Sequence, residues 1–286
     1  MSGKKNAGEK MKTLLFGKKT IQTQNPAFVM GIVNCTPDSF FKESRGGKKR
    51  ALRLIEEGAD ILDLGAESTR PGSDFISAEE EIKRLIPVLR SIRKESDIPI
   101  SIDTRKKSVM EACYNEGADC VNDISALEDD EELSFFVKEK ELSVILMHKR
   151  GSPRDMQKNT RYADVFNEVS RYLKERALFA QSCGISKERI IVDPGIGFAK
   201  DTESCVRLIA ECGKLCGGEY PVLMALSRKS FLKDLTLRAV EDRLGGTLCA
   251  NILSVCNGAS LLRVHDVAAT VDALKVLKAV GYSKGK

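Results

Sequence analysis

The sequence predicts an α/β protein built as a single (β/α)8 TIM barrel, with an N-terminal β-hairpin closing the bottom of the barrel. Three observations carry this. Eight short apolar runs alternate with longer stretches of helical period along the 286 residues. The runs are close to continuously apolar, as parallel strands covered on both faces are. Their C-terminal ends recur about every 33 residues, near one βα unit of a barrel of about 250 residues.

Residues 1–10 read as a disordered tail and 11–286 as one domain. TLLFG (13–17) and TIQ (20–22), joined through Lys18-Lys19, form the hairpin. The barrel strands are FVMGIVN ending at Asn34, ADILDLGA ending at Ala66, PISID ending at Asp103 and CVND ending at Asp123. SVILMH ending at His148, RIIVDPG ending at Gly195, PVLMALS ending at Ser227 and SLLRVH ending at His265 complete the eight. Between them, Ser77 and Glu80 make a capping box, ahead of a stripe of Ile82, Leu85, Ile86 and Leu89. Thr104 reads as the next N-cap, with Val109 and Cys113 facing inward. Phe166, Val169 and Leu173 repeat the period, as do Val267, Val271 and Leu274 in the last helix. Gly58 and Gly117 stand where a helix ends before a strand and a C-terminal glycine is wanted. Arg84, Arg90 and Arg93 read as a solvated helix face, and Phe135, Phe136, Phe166 and Phe231 as core.

Composition narrows the function. Lys and Arg number 46 against 41 Asp and Glu, a net charge of +5 spread along the chain. That argues against nucleic acid as a partner and suits an anionic small molecule. No apolar run reaches the roughly 18–20 residues of a membrane span. The 9 cysteines are odd in number and contain no CxxC pair, which argues for free thiols in a reducing cytoplasm over a zinc site or a disulfide framework. The first residues carry no apolar leader.

In such a barrel the polar groups at strand C-termini converge on one site. Reading the strand ends in order yields Asn34, Glu67 to Arg70, Asp103, Asn122-Asp123, His148, Asp193, Ser227 to Ser230, Arg263 and His265. Arg70, Lys229, Arg263 and His265 are anion binders, and the ends of the seventh and eighth strands form the usual phosphate corner. Asp103, Asn122 and Asp193 offer acceptors to a ring rich in N–H donors. Cations at one edge and carboxylates on the floor suit a heterocycle carrying a diphosphate. Asp63 reads equally as a barrel-core polar group or as part of the site, and His148 leans toward a satisfied core histidine.

The motifs MGIVNCTPDSF (30–40), GAESTRPGS (65–73), SIDT (101–104), VNDI (121–124), VDPGIGF (192–198), SRKSF (227–231), RLGGT (243–247) and RVHD (263–266) resemble the signatures of the dihydropteroate synthase family over about residues 28–280. The resemblance implies a cytoplasmic homodimeric TIM-barrel transferase of folate biosynthesis, a family targeted by sulfonamides. It joins 6-hydroxymethyl-7,8-dihydropterin diphosphate to 4-aminobenzoate, giving 7,8-dihydropteroate and diphosphate, with Mg²⁺ as cofactor. It further implies that Asp103, Asn122, Asp193 and Lys229 bind the pterin and that Met147 lines its slot. Asn34, Arg263 and His265 would take the diphosphate, with Asn34 also a Mg²⁺ ligand. Asp38 would belong to a first mobile loop, and Thr69 and Arg70 to a second. Pro71, Phe198, Lys229 and Ser230 would frame 4-aminobenzoate, whose carboxylate would meet the helix start near Ser230. Asp103, Asp193, Lys229, Asp38 and Arg70 would be the catalytic set. RLGGT is expected to serve helix packing and dimer contact. Two other readings, a pterin-binding methyltransferase domain and a non-catalytic barrel, fit less well. The first has no need of SRKS and RVHD, and the second predicts gaps among the strand-end residues.

Overall fold

The computed structural model describes residues 11–35, 47–67, 76–151 and 160–281. Asp38, Thr69, Arg70, Pro71 and the expected tail 1–10 lie outside them. β1 (Lys12–Phe16) and β2 (Lys19–Thr23) form an antiparallel hairpin. The barrel strands are β3 (Phe28–Asn34), β4 (Ile61–Gly65), β5 (Ile100–Asp103), β6 (Cys120–Asp123), β7 (Ser143–Met147), β8 (Ile190–Asp193), β9 (Leu223–Met224) and β10 (Leu261–Val264). They pair in parallel in the order β8-β7-β6-β5-β4-β3-β10-β9. A parallel bridge from Val192 to Val222 brings the two ends of that order together.

The helices are α1 (Gly47–Glu56), α2 (Ala78–Arg93), α3 (Lys107–Asn115), α4 (Glu131–Glu139), α5 (Val165–Ser182), α6 (Thr202–Glu211), α7 (Ser230–Thr236), α8 (Leu244–Cys256) and α9 (Val267–Ala279). Alternation along each strand separates two apolar layers. Val29, Leu62, Ile102, Val144, Val192 and Val264 face the helices. Phe28, Met30, Ile61, Ile145, Ile191 and Leu261 fill the lower barrel. Both sets are buried, so the upper barrel is left to polar side chains.

The hairpin closes the bottom as expected. Leu14 and Phe16 join the lower-barrel cluster. The Gly17 N–H donates to Ser143 Oγ at 2.9 Å, and Arg189 donates to the Gly17 carbonyl. Gly17 has φ +59°, and a Cβ there would stand 2.6 Å from the Asp119 carbonyl oxygen, so the turn needs glycine. Gly58 and Gly117 have φ of +95° and +94° just past α1 and α3, as their placement predicts.

Several local expectations are corrected. Ser77 accepts from the Glu80 N–H at 3.3 Å, but the Glu80 carboxylate turns to Arg84 at 2.8 Å, so only half of the capping box forms. Thr104 does not cap α3: its hydroxyl donates to Glu81 at 2.9 Å, and the N-cap position falls to Lys106. Arg93 is not a solvated side chain. It donates to the carbonyls of Ile98 and Gly117 and pairs with Asp119 at 3.0 Å, tying the end of α2 to the starts of two strands. Phe135 is 64% exposed on α4, while Phe136 takes the inward place. All nine cysteines are free thiols. Cys113, Cys120, Cys205, Cys212 and Cys216 are buried, and Cys249 is exposed.

Candidate active site

Strand register builds the floor. Asn34 lies opposite Gly65, Gly65 opposite Asp103, and Asp103 opposite Asn122, one continuous row across β3, β4, β5 and β6. Met147 lies opposite Asp193 where β7 pairs with β8. Asn34, Asp103, Asn122 and Asp193 stand at or next to the ends of apolar runs, so burial of each run lifts its polar terminus to the barrel mouth.

One ion cluster organises the row. Arg263 Nε donates to Asp63 Oδ2 at 2.6 Å, and its Nη2 donates to Asp103 Oδ2 at 2.8 Å. Asp63 is wholly buried, and Asn122 Nδ2 lies 3.4 Å from both of its carboxylate oxygens. Asp63 therefore belongs to the site's foundation rather than to a separate core. Burial raises the Asp103 carboxyl above the ordinary carboxylate range, against the pull of the Arg263 guanidinium. The two carboxylates lift the Arg263 guanidinium still further from neutrality.

Asp193 is buried at the end of β8. Its Oδ1 accepts the Gly195 N–H at 2.7 Å. Burial raises its pKa, opposed by the charge of Lys229. Lys229 Nζ donates to the Ile196 carbonyl at 2.5 Å and stands 5.2 Å from the Phe198 ring centroid. Burial pulls its ammonium down to about 8, with Asp193 resisting. Ser230 is exposed as the first residue of α7, so the helix starts where the sequence places it.

Arg263 lies on β10 and His265 one residue past its end, and Val264 between them is buried against the helices. His265 Nδ1 lies 2.9 Å from Ser227 Oγ, a hydroxyl that also accepts the His265 N–H at 3.2 Å. The two anion-binding motifs are locked together. Arg228 donates from Nε and Nη2 to both carboxylate oxygens of Asp266, at 3.0 and 2.9 Å. Arg228 holds a left-handed φ of +58°, braced by Thr247 Oγ1 on its N–H and by Arg243 on its carbonyl. RLGGT thus supports SRKS directly, a role that helix periodicity does not signal.

His148 is a buried core histidine whose Nδ1 lies 2.9 Å from Lys200 Nζ. Burial, and then the Lys200 charge, push its pKa down to about 2. Asp123 is consumed locally, accepting from the Ser125 hydroxyl and from the N–H groups of Ser125 and Leu127. Lys149 pairs with Asp129 at 3.1 Å and Arg150 with Glu168 at 2.8 Å, so the extra positive charge after β7 is neutralised in place. The site thus gathers Asn34, Asp103, Asn122, Met147, Asp193, Phe198, Lys229, Arg263 and His265 around one end of the barrel.

Comparison with known proteins agrees with this arrangement. The profile of the pterin binding enzyme family matches residues 30–265. The dihydropteroate synthase of Neisseria meningitidis serogroup B is 42% identical over 264 residues, covering 88% of this chain and 92% of the relative. That of Escherichia coli K12 is 39% identical over 273 residues, covering 93% and 95%. The Xanthomonas albilineans dihydropteroate synthase solved with 4-aminobenzoic acid superposes with a TM-score of 0.85 at 43% identity, covering 92% of this chain and 96% of that one. The Burkholderia cenocepacia enzyme complexed with 7,8-dihydropteroate gives 0.84 at 37% identity, covering 94% and 96%. With its barrel, its strand-end carboxylates and relatives matched over most of their length, this chain belongs to the pterin-binding enzyme family of the dihydropteroate synthases.

Proposed function

We infer that the chain condenses 6-hydroxymethyl-7,8-dihydropterin diphosphate with 4-aminobenzoate, releasing 7,8-dihydropteroate and diphosphate. The observation that carries this reading is the pairing of a buried acceptor floor, Asp103, Asn122 and Asp193, with cationic groups from β10 and the β9–α7 turn. The floor would accept hydrogen bonds from the ring N–H groups of the pterin. Oriented acceptors in a buried site discriminate strongly against rings that cannot donate to them.

Diphosphate departure leaves positive charge on the pterin methylene. Asp103 and Asp193, as carboxylates, would stabilise that charge as it spreads into the ring. Arg263, His265 and Lys229 would take up the negative charge of the leaving group. The neutral arylamine then attacks the methylene carbon and gives up a proton, and no protein nucleophile is needed. Phe198, Pro71, Lys229 and Ser230 would frame the arylamine, with Thr69, Arg70 and Asp38 approaching from the two flanking loops.

The residues fit a single Mg²⁺. Asn34 ends β3 in the same register row as Asp103, where a carboxamide oxygen can face a diphosphate. Among the described residues no group of three His, Cys, Asp or Glu could hold a metal ion. One protein ligand with substrate phosphate oxygens and waters is the coordination Mg²⁺ favours. When bound, the ion would neutralise charge on the departing diphosphate.

A homodimer is supported by Leu235, Leu237 and Leu253, exposed apolar side chains on or just beyond the adjacent helices α7 and α8. No described helix is long and apolar enough to cross a membrane. We place the activity in the cytoplasm, where nine free thiols are stable. Mixing the protein with Mg²⁺, the pterin diphosphate and 4-aminobenzoate tests the reading. Diphosphate release that needs both substrates supports it, and none under these conditions overturns it.

A further inference from the structure

We propose that Lys200 is a positioning residue for the arylamine side of the site, its ammonium holding the 194–199 turn in the shape that presents Ile196 and Phe198 to Lys229. Lys200 is 4% exposed. Its Nζ lies 2.9 Å from His148 Nδ1, 3.1 Å from the Gly195 carbonyl and 3.0 Å from the Phe198 carbonyl. Burial pulls the Lys200 ammonium down to about 7, and below that pH its three hydrogens meet these three acceptors. His148 stays neutral in its buried place, so Nδ1 accepts and the ring proton sits on Nε2.

The turn needs such a tie. Gly195, Gly197 and Ala199 have φ of +66°, +83° and +52°, so three of its residues occupy the left-handed region, one of them with a Cβ. The chain also runs against β7: a Cβ on Gly195 would fall 1.9 Å from the His148 carbonyl oxygen. The inner side of the turn meets Lys200 through two carbonyls. Its outer side delivers the Ile196 carbonyl to Lys229 at 2.5 Å and sets the Phe198 ring 5.2 Å from the same ammonium. Anchor and working groups therefore alternate along one turn, and Asp193 enters it from β8 through the Gly195 N–H. Without the ammonium, the Gly195 carbonyl keeps only the Phe198 N–H and the Phe198 carbonyl loses the Lys200 donor, so the turn is free to relax.

The inference rests on the proposed reading that Phe198 and Lys229 frame 4-aminobenzoate. The test compares the wild-type protein with Lys200→Met at pH 6.5, measuring KM for each substrate, kcat and thermal stability. The expected result is a KM for 4-aminobenzoate raised about tenfold or more, with KM for the pterin diphosphate changed by less than about threefold. Leu274→Ala, a cavity in α9 remote from the turn, is expected to lower thermal stability while leaving the ratio of the two KM values unchanged. If Lys200→Met does not fold, Lys200→Leu, which likewise has no donor, carries the same ratio test. Both KM values unchanged, or both raised by one factor, would overturn the positioning role. A wild-type protein that releases no diphosphate with both substrates would instead remove the reading on which the inference rests.

Discussion

Arg263 Nε donates to Asp63 Oδ2 at 2.6 Å across the interior of the barrel, joining β10 to β4. The Arg263 guanidinium at the barrel mouth is thus anchored from below by a wholly buried carboxylate. The same guanidinium holds Asp103, so β4, β5 and β10 share one support.

Arg263→Ala is therefore expected to damage more than diphosphate binding. It leaves Asp63 buried without its cation, which costs about 3–5 kcal/mol when one partner of a buried pair is removed. Urea denaturation measures this. Asp63→Asn added to Arg263→Ala should recover part of the loss, and strictly additive effects would show that the two side chains do not depend on each other.

Asp193→Asn keeps the shape of the floor but not its chemistry. The carboxamide oxygen would stay on the Gly195 N–H, turning the amide N–H₂ toward the ring position. Donor would then face donor, and pterin affinity should fall by about 1–3 kcal/mol. Calorimetry with a pterin lacking the diphosphate reads this directly, and unchanged affinity would remove Asp193 from the pterin floor.

The pH profile follows from two opposed shifts. Asp103 carries a raised pKa, so protonation disables it at a pH above the ordinary carboxylate range. Lys229 is lowered to about 8, so its charge is lost on the alkaline side. kcat/KM should rise as Asp103 ionises, fall as pH passes about 8, and be largest between. Lys229→Arg should move the alkaline limb upward. A limb that stays at the same pH in that variant belongs to another group.

Gly195→Ala places a Cβ against the His148 carbonyl oxygen at a φ of +66°. The backbone strain alone costs about 1–3 kcal/mol, and the collision adds to it. Thermal denaturation should show a large loss of stability, far beyond that of Gly245→Ala on α8, where an added Cβ has nothing within 4 Å.

The barrel and most of its mouth were legible because strand ends announce themselves. A buried apolar run that stops at Asn34, Asp103, Asn122 or Asp193 can place its polar end only at the opening. What stayed hidden depends on partners distant in sequence. Asp63 sits inside an apolar run, and only Arg263, 200 residues later, shows why it is there. Thr104 looks like a cap until Glu81 of α2 claims its hydroxyl. Arg228 lies in the strand-end motif SRKS, yet Asp266 and the turn before α8 hold it in the framework. Lys200 carries no periodic signal, since its three acceptors come from a strand end and an irregular turn.

The most direct test of the central claim is the product balance of one reaction. Wild-type protein, Mg²⁺, the pterin diphosphate and 4-aminobenzoate are incubated, and diphosphate, remaining arylamine and 7,8-dihydropteroate are quantified together. The expected balance is one diphosphate released and one 7,8-dihydropteroate formed for each 4-aminobenzoate consumed. Diphosphate release without the carbon–nitrogen product, or no turnover by folded protein, would contradict it.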